Sequence, residues 1–214
     1  MGGAVPGAAV SHLRRADPVL RALIDAVEAD GGLGRRGRRP VAAGDHYGAL
    51  VRSIVGQQLS SKAAYTINAR LRERFGGRPP TPQEVLASDP EELRAAAGLS
   101  RMKTVYLRSL AEHVVSGELE LERMGELPDE DVIAELVAVK GIGEWTAHMF
   151  LIFHLERPDV LPVGDLGIRS AIRRAYGLEE LPGPAEMERI ATSWRPWRSV
   201  ACRYLWRSLD NEPA

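Results

Sequence analysis

Apolar residues recur along this chain at helical spacing, and nowhere do they alternate in the two-residue rhythm of a strand followed by a hairpin signal. Asp17-Pro18 opens a stripe of Val19, Leu20, Leu23, Ile24 and Val27, which predicts an amphipathic helix over about 17–29 that ends at Gly31-Gly32-Leu33-Gly34. Leu50, Val51, Ile54 and Val55 form a second stripe. It halts at Gly56-Gln57-Gln58-Leu59-Ser60, and another helix is expected from Ser61 to Phe75. Thr81-Pro82-Gln83-Glu84 and Ser88-Asp89-Pro90-Glu91 both read as capping boxes, a hydroxyl with a glutamate three residues on. Gly98 breaks the next helix, and a longer one is expected over about 101–115. Pro128-Asp129 starts a helix that carries Val132, Ile133, Leu136 and Val137 into Gly141. Helices follow over Trp145 to His154, from Asp165 to Tyr176 and over about 196–209. The expected fold is all-α, with two helical lobes flanking a cleft. Residues 1–16 read as a flexible terminus and 17–214 as one domain. Within it the expected lobes are about 45–135, and about 136–209 with the first helix packed on the last.

Composition removes several function classes. No run of about 18 apolar residues exists that could span a membrane. The first fifteen residues lack a positive region ahead of an apolar stretch, so they do not read as an export signal, and the cytoplasm is the expected compartment. Cys202 is the only cysteine, which excludes an internal disulfide, a cysteine-ligated iron–sulfur cluster and a cysteine-rich zinc site within this chain. The formal net charge is -1, which does not advertise nucleic-acid binding. Phosphate contacts need local rather than global charge, however. The clearest basic cluster, Arg35-Arg36-Gly37-Arg38-Arg39, reads as a solvated loop.

Candidate chemistry is concentrated in one stretch, Leu136-Val137-Ala138-Val139-Lys140-Gly141-Ile142-Gly143-Glu144-Trp145-Thr146-Ala147. A helix stops at a Gly-x-Gly turn and another starts at once. That turn could simply join two packed helices, or the second helix could offer its unpaired N–H groups to a phosphate. About twenty residues on stands Leu161-Pro162-Val163-Gly164-Asp165-Leu166-Gly167-Ile168-Arg169. Asp165 suits an N-cap, and its carboxylate also suits catalysis. Taken together, the hairpin and the Pro-x-x-Asp element resemble the helix-hairpin-helix, Gly/Pro-rich, Asp superfamily of DNA glycosylases. Within it the sequence is most similar to the AlkA-like 3-methyladenine DNA glycosylase II family, over roughly residues 45–209.

That resemblance implies a DNA glycosylase of base excision repair whose catalytic residue is Asp165. Breaking an N-glycosidic bond builds oxocarbenium character on the sugar, which a nearby anion stabilises, and the same carboxylate could orient or deprotonate the attacking water. Bifunctional relatives carry a lysine two residues after the second hairpin glycine. Trp145 stands there instead, so the resemblance implies a monofunctional hydrolase without strand cleavage. The implied base pocket comprises Trp145, Met149 in place of the family's frequent tyrosine, and Trp206, whose aromatic faces suit purines made cationic by alkylation, 3-methyladenine and 7-methylguanine. Trp194 and Trp197 are assigned to the core, and His148 and His154 to solvent or core.

The implied partner is double-stranded DNA bearing alkylated bases, bound by a monomer associated with the nucleoid. To reach a stacked base the enzyme must flip it out and fill the gap. Gln58 matches the position of the family's wedge residue, with Leu59 the alternative. Phosphate contacts are expected from the hairpin at Gly141 and Gly143, from Lys140 and Arg169, and from Lys103 as a further candidate. No cofactor is required. The resemblance implies that a Na+ or K+ ion could be held by the backbone carbonyls of Val137, Val139 and Ile142 when DNA is bound. The β-rich domain that precedes this unit in some relatives is not expected. Two other readings stay open: a glycosylase for neutral lesions such as hypoxanthine, ethenoadenine or uracil, and a non-catalytic lesion-binding module.

Overall fold

Side chains at helix starts account for most of the boundaries. A computed structural model describes residues 5–33 and 45–209, all of whose regular structure is helical. The basic cluster around Arg35 to Arg39 lies outside the described residues. In chain order the helices are α1 (Gly7–Ala16), α2 (Pro18–Ala29), α3 (His46–Gly56), α4 (Ser61–Arg74), α5 (Pro82–Ala87), α6 (Pro90–Ala97), α7 (Arg101–Ser116), α8 (Asp129–Ala138), α9 (Glu144–Phe153), α10 (Leu166–Tyr176), α11 (Pro184–Ala191) and α12 (Arg198–Leu209). Short 3-10 turns occupy Leu121–Arg123 and Thr192–Trp194. Asp17, Asp45, Ser60, Thr81, Asp89, Ser100 and Asp165 each accept first-turn amides of the helix they precede. Thr81 and Glu84 close the expected capping box. At the second expected box the cap is Asp89, not Ser88, whose hydroxyl instead donates to the Glu84 carbonyl of the preceding helix. No helix among the described residues is long and apolar enough to cross a membrane.

The chain divides into two compact units, Met1–Pro40 with Leu151–Ala214, and Val41–Phe150. In the first, α2, α10 and α12 pack together around Leu20, Ile24, Val27, Ile168, Ile172, Cys202 and Leu205. Asp17 ties this core together: beyond capping α2, its carboxylate accepts the Tyr176 hydroxyl and the Trp194 indole N–H. Trp194 is fully buried and Trp197 packs against the same core, as expected. Helix α2, the first helix expected from the sequence, packs on α12, held further by Tyr204 donating to Glu28 and Arg207 to the Gly32 carbonyl.

The terminus expected to be flexible over 1–16 is a helix from Gly7 onward. Leu13 is wholly buried with Ala9 one turn earlier, Val10 packs against the same core, and His12 meets the Ser193 carbonyl. So short and glycine-rich a segment is marginal alone. Burying one leucine contributes about 1.5–3 kcal/mol, and docking of this kind is what stabilises short helices. Helix α11, set in a stretch without a clear stripe, is likewise held by the burial of Met187 and Ala191.

In the second unit α7 is central, packing on α3, α5 and α6, while α4 packs on α3 and α6. Leu50, Ile54, Val55, Val85, Leu93, Leu107, Leu110 and Leu136 are buried without exposure. The hairpin between α8 and α9 belongs to this unit. It was expected in the catalytic lobe beginning near 136, and the bonds described below are the physical reason for the difference.

Candidate active site

Asp165 is placed by a chain that cannot continue as helix. Pro158 and Pro162 interrupt the stretch after α9, Val163 N–H turns back to the Leu161 carbonyl (3.0 Å), and Asp165 N–H to that of Pro162 (2.9 Å). The start of this stretch is fixed to α12. Ser199 Oγ accepts the Val160 amide at 2.9 Å, and the Arg198 guanidinium donates to the Asp159 carboxylate and carbonyl. Asp165, a residue 7% exposed, then caps α10, with Oδ1 accepting the Ile168 N–H at 2.7 Å. Of the two sequence readings of Asp165, the N-cap is what the structure shows, and its carboxylate stands at the positive end of a helix.

Trp206 supplies a second donor to the same oxygen. Its indole N–H lies 2.9 Å from Oδ1, and its ring is half-buried against Phe153, the centroids 5.4 Å apart. The resemblance implies a base-pocket place for Trp206; what the structure shows is that its indole holds the carboxylate. Gly167 makes room for this arrangement, since a Cβ there would fall 3.0 Å from Asp165 Oδ1 and 3.3 Å from the Trp206 ring. Beside it, Leu166 is 63% exposed. Burial, and then the charge of Asp165, push the Cys202 thiol up, so this cysteine stays a thiol at neutral pH. Arg169 directs Nε to the Pro182 carbonyl (3.0 Å), tethering the side chain expected at a phosphate to the loop before α11.

The remaining expected site residues lie in the other unit. Trp145 and Met149 sit one turn apart on α9, Trp145 47% exposed and Met149 half-buried. His148, between them in sequence, is half-buried; desolvation lowers its pKa, against the opposing pull of Glu144 and Asp129. The hairpin is built on Gly141, whose φ of +93° is open to glycine and whose missing side chain is replaced by the Tyr106 ring; a Cβ would clash with it. Lys140 N–H donates to Ser109 Oγ (3.2 Å), and the Gln57 amide donates to the Gly141 carbonyl at 2.8 Å. Lys140 and Gly143 are exposed. Of the carbonyls implied as cation ligands, that of Val139 already accepts the Ile142 N–H (3.0 Å), which leaves its second lone pair. An all-oxygen backbone set suits a monovalent ion.

At the expected wedge, Leu59 N–H reaches back to the Gly56 carbonyl (3.3 Å). Gln57 at φ -52°, ψ 133° and Gln58 at φ +56° form a turn of type II geometry. Gln58 occupies the position that favours glycine, and both it and Leu59 are exposed. Lys103 is not turned toward solvent as a phosphate ligand: Nζ donates to the Val55 carbonyl at 2.8 Å, capping the end of α3, and burial lowers its pKa. Sequence reasoning missed Gln57, Tyr106 and Ser109. The doubled glutamine was the one available signal; nothing in the pattern of α7 marked the other two.

Comparison with known proteins accords with this geometry. Residues 51–196 match the model of the HhH-GPD superfamily base excision DNA repair proteins. DNA-3-methyladenine glycosylase 1 of Schizosaccharomyces pombe is 37% identical over 175 residues, covering 81% of this chain and 76% of that protein. A Bacillus subtilis relative is 32% identical over 170 residues, covering 77% of this chain but only 59% of its own length. The structure of the S. pombe 3-methyladenine DNA glycosylase Mag1 in complex with abasic DNA superposes with a TM-score of 0.77 at 34% identity, over 94% of this chain and 95% of that one. The hairpin on Gly141, the capped carboxylate of Asp165 and these matches lead to one conclusion: the chain belongs to the HhH-GPD superfamily of base excision DNA repair proteins.

Proposed function

We propose that this protein is a monofunctional DNA glycosylase that removes alkylated purines, 3-methyladenine and 7-methylguanine, from duplex DNA. The observation that carries the reading is the Asp165 carboxylate, held at the start of α10 by the Ile168 and Trp206 N–H groups, in a chain whose relatives are named for 3-methyladenine excision. DNA is the partner, gripped at the hairpin through Gly141, Gly143 and Lys140, with Arg169 as a further contact. Gln58, presented by a strained turn, is the wedge, flanked by Leu59. Trp145 and Met149 contact the flipped base. A Na+ or K+ held by the carbonyls of Val137, Val139 and Ile142 would place positive charge beside a DNA phosphate.

The chemistry asked of Asp165 is electrostatic and positional. As the C1′–N bond breaks, its electron pair leaves with the base, and the carboxylate stabilises the charge that develops on the sugar. Water then adds at C1′ and gives up a proton. A purine already cationic at N3 or N7 is a good leaving group, so no acid needs to act on it. Trp145 occupies the place where a lysine would form a Schiff base, so the product is an intact strand with an abasic site.

The test is base release from methylated duplex DNA, with the freed bases identified by chromatography. Release of 3-methyladenine and 7-methylguanine by the wild type, lost in Asp165→Asn with DNA binding retained, is the expected result. Full activity of Asp165→Asn overturns the mechanism. Binding without release by the wild type directs attention to neutral lesions, which the half-buried Met149 in place of a tyrosine keeps in view. Trapping of a covalent complex by borohydride overturns the monofunctional assignment.

A further inference from the structure

We propose that Gln57 is a positioning residue that couples the wedge to the hairpin, so that the element gripping the backbone also sets how far Gln58 projects. The proposal rests on the base-flipping reading above. Gln57 and Gln58 are the two central residues of the turn Gly56–Leu59 and do opposite things: Gln58 is exposed at a positive φ, while Gln57 is half-buried and donates to the Gly141 carbonyl across 84 residues of sequence. In a type II turn the two central residues are joined by one planar peptide. A bond at that corner therefore constrains the direction of the next side chain.

The same geometry recurs around both ends of this bond. Gly141, which accepts it, is packed by the Tyr106 ring, and the neighbouring Lys140 amide is held by Ser109 one turn further along α7. Lys103, one turn before Tyr106, fastens the Val55 carbonyl just ahead of the wedge turn. One face of α7 thus carries the end of α3 and the hairpin, and Gln57 closes the circuit between them. A glutamine kept only for its bulk needs no donor aimed at a carbonyl. An exposed non-glycine residue at positive φ persists only where its surroundings over-determine it.

The experiment compares wild type with Gln57→Met, which keeps length but has no donor, and Gln57→Glu, which turns an acceptor toward the Gly141 carbonyl. Duplexes carry one methylated purine with 2-aminopurine beside it, read by fluorescence at saturating enzyme. The affinity for undamaged duplex and the melting temperature are measured in parallel. The expected result is an unstacking signal reduced at least about threefold in both variants, a smaller single-turnover rate of base release, and undamaged-duplex affinity within about twofold of wild type. Unchanged unstacking in either variant, or unstacking and affinity that fall together in proportion to lost stability, overturns the coupling. Wild-type enzyme that releases bases while both variants match it overturns the coupling alone; wild-type enzyme that neither unstacks nor releases a base overturns the proposed function with it.

Discussion

The indole N–H of Trp206 donates to Oδ1 of Asp165 at 2.9 Å, sharing that oxygen with the Ile168 amide. An aromatic residue near the end of the last helix thus orients the carboxylate at the start of α10. Trp206→Phe keeps a ring against Phe153 and removes the donor. A hydrogen bond to a charged group is worth about 1.5–3 kcal/mol, so single-turnover base release is expected to fall about ten- to a hundredfold. DNA affinity should stay near wild type. A wild-type rate would show that α10 alone positions the carboxylate.

Gly167 separates stability from activity at the same place. Alanine is the better helix former by up to about 1 kcal/mol, yet its Cβ would lie 3.0 Å from Asp165 Oδ1 and 3.3 Å from the Trp206 ring. Gly167→Ala is expected to melt within about 4 °C of wild type, the propensity gain offset by strain at the Asp165 cap, while base release falls at least about tenfold. Equal activity in that variant would mean that the carboxylate moves aside without consequence.

The two hairpin glycines are expected to differ sharply. Gly141→Ala forces a side chain into positive φ and onto the Tyr106 ring, which together should cost about 2–5 kcal/mol. A Cβ on Gly143 meets nothing within 4 Å, and Gly143→Ala should unfold at the wild-type denaturant concentration. Urea titration followed by circular dichroism distinguishes them, and equal midpoints would contradict the packing described.

Gln58→Gly should trade function for stability. The φ of +56° is strained for glutamine and open to glycine. Relief of that strain is partly offset by the greater freedom of glycine in the unfolded chain, so the melting temperature should hold or rise. Base release from paired duplex should fall several-fold because nothing fills the vacated stack. A variant as active as wild type would move the wedge role to Leu59.

His148 gives a pH signature. Desolvation holds its folded pKa below the ordinary histidine value, so as the solution turns acid the unfolded chain takes up the proton more readily than the folded one. The associated stability is complete above the unfolded pKa and is lost as pH falls through the lowered folded value. Between pH 7.5 and about 5.5, wild type should therefore lose more stability than His148→Gln, read as urea midpoints at the two pH values. Parallel losses would place the acid sensitivity elsewhere.

What sequence determined here is what depends on near neighbours in the chain. The stripes of α2, α3 and α8, the Thr81–Glu84 box, the Gly-x-Gly break and the cap at Asp165 all involve partners within about one turn, so their physics is written in local order. The capping role of Asp165 was legible for that reason. Tertiary structure decided everything that joins distant residues. Trp206 reaches Asp165 across 41 positions, and Gln57 reaches Gly141 across 84. Tyr106 stands where Gly141 has no side chain, and α1 is a helix because Ala9 and Leu13 find a core to enter. The hairpin joined the Val41–Phe150 unit, although its sequence adjoins the segment that carries Asp165, because α7 and Gln57 bond to it there. Periodicity tells which face of a helix is apolar. Which side chain that face meets is settled only when the helices pack, because partners so far apart in sequence leave no local pattern.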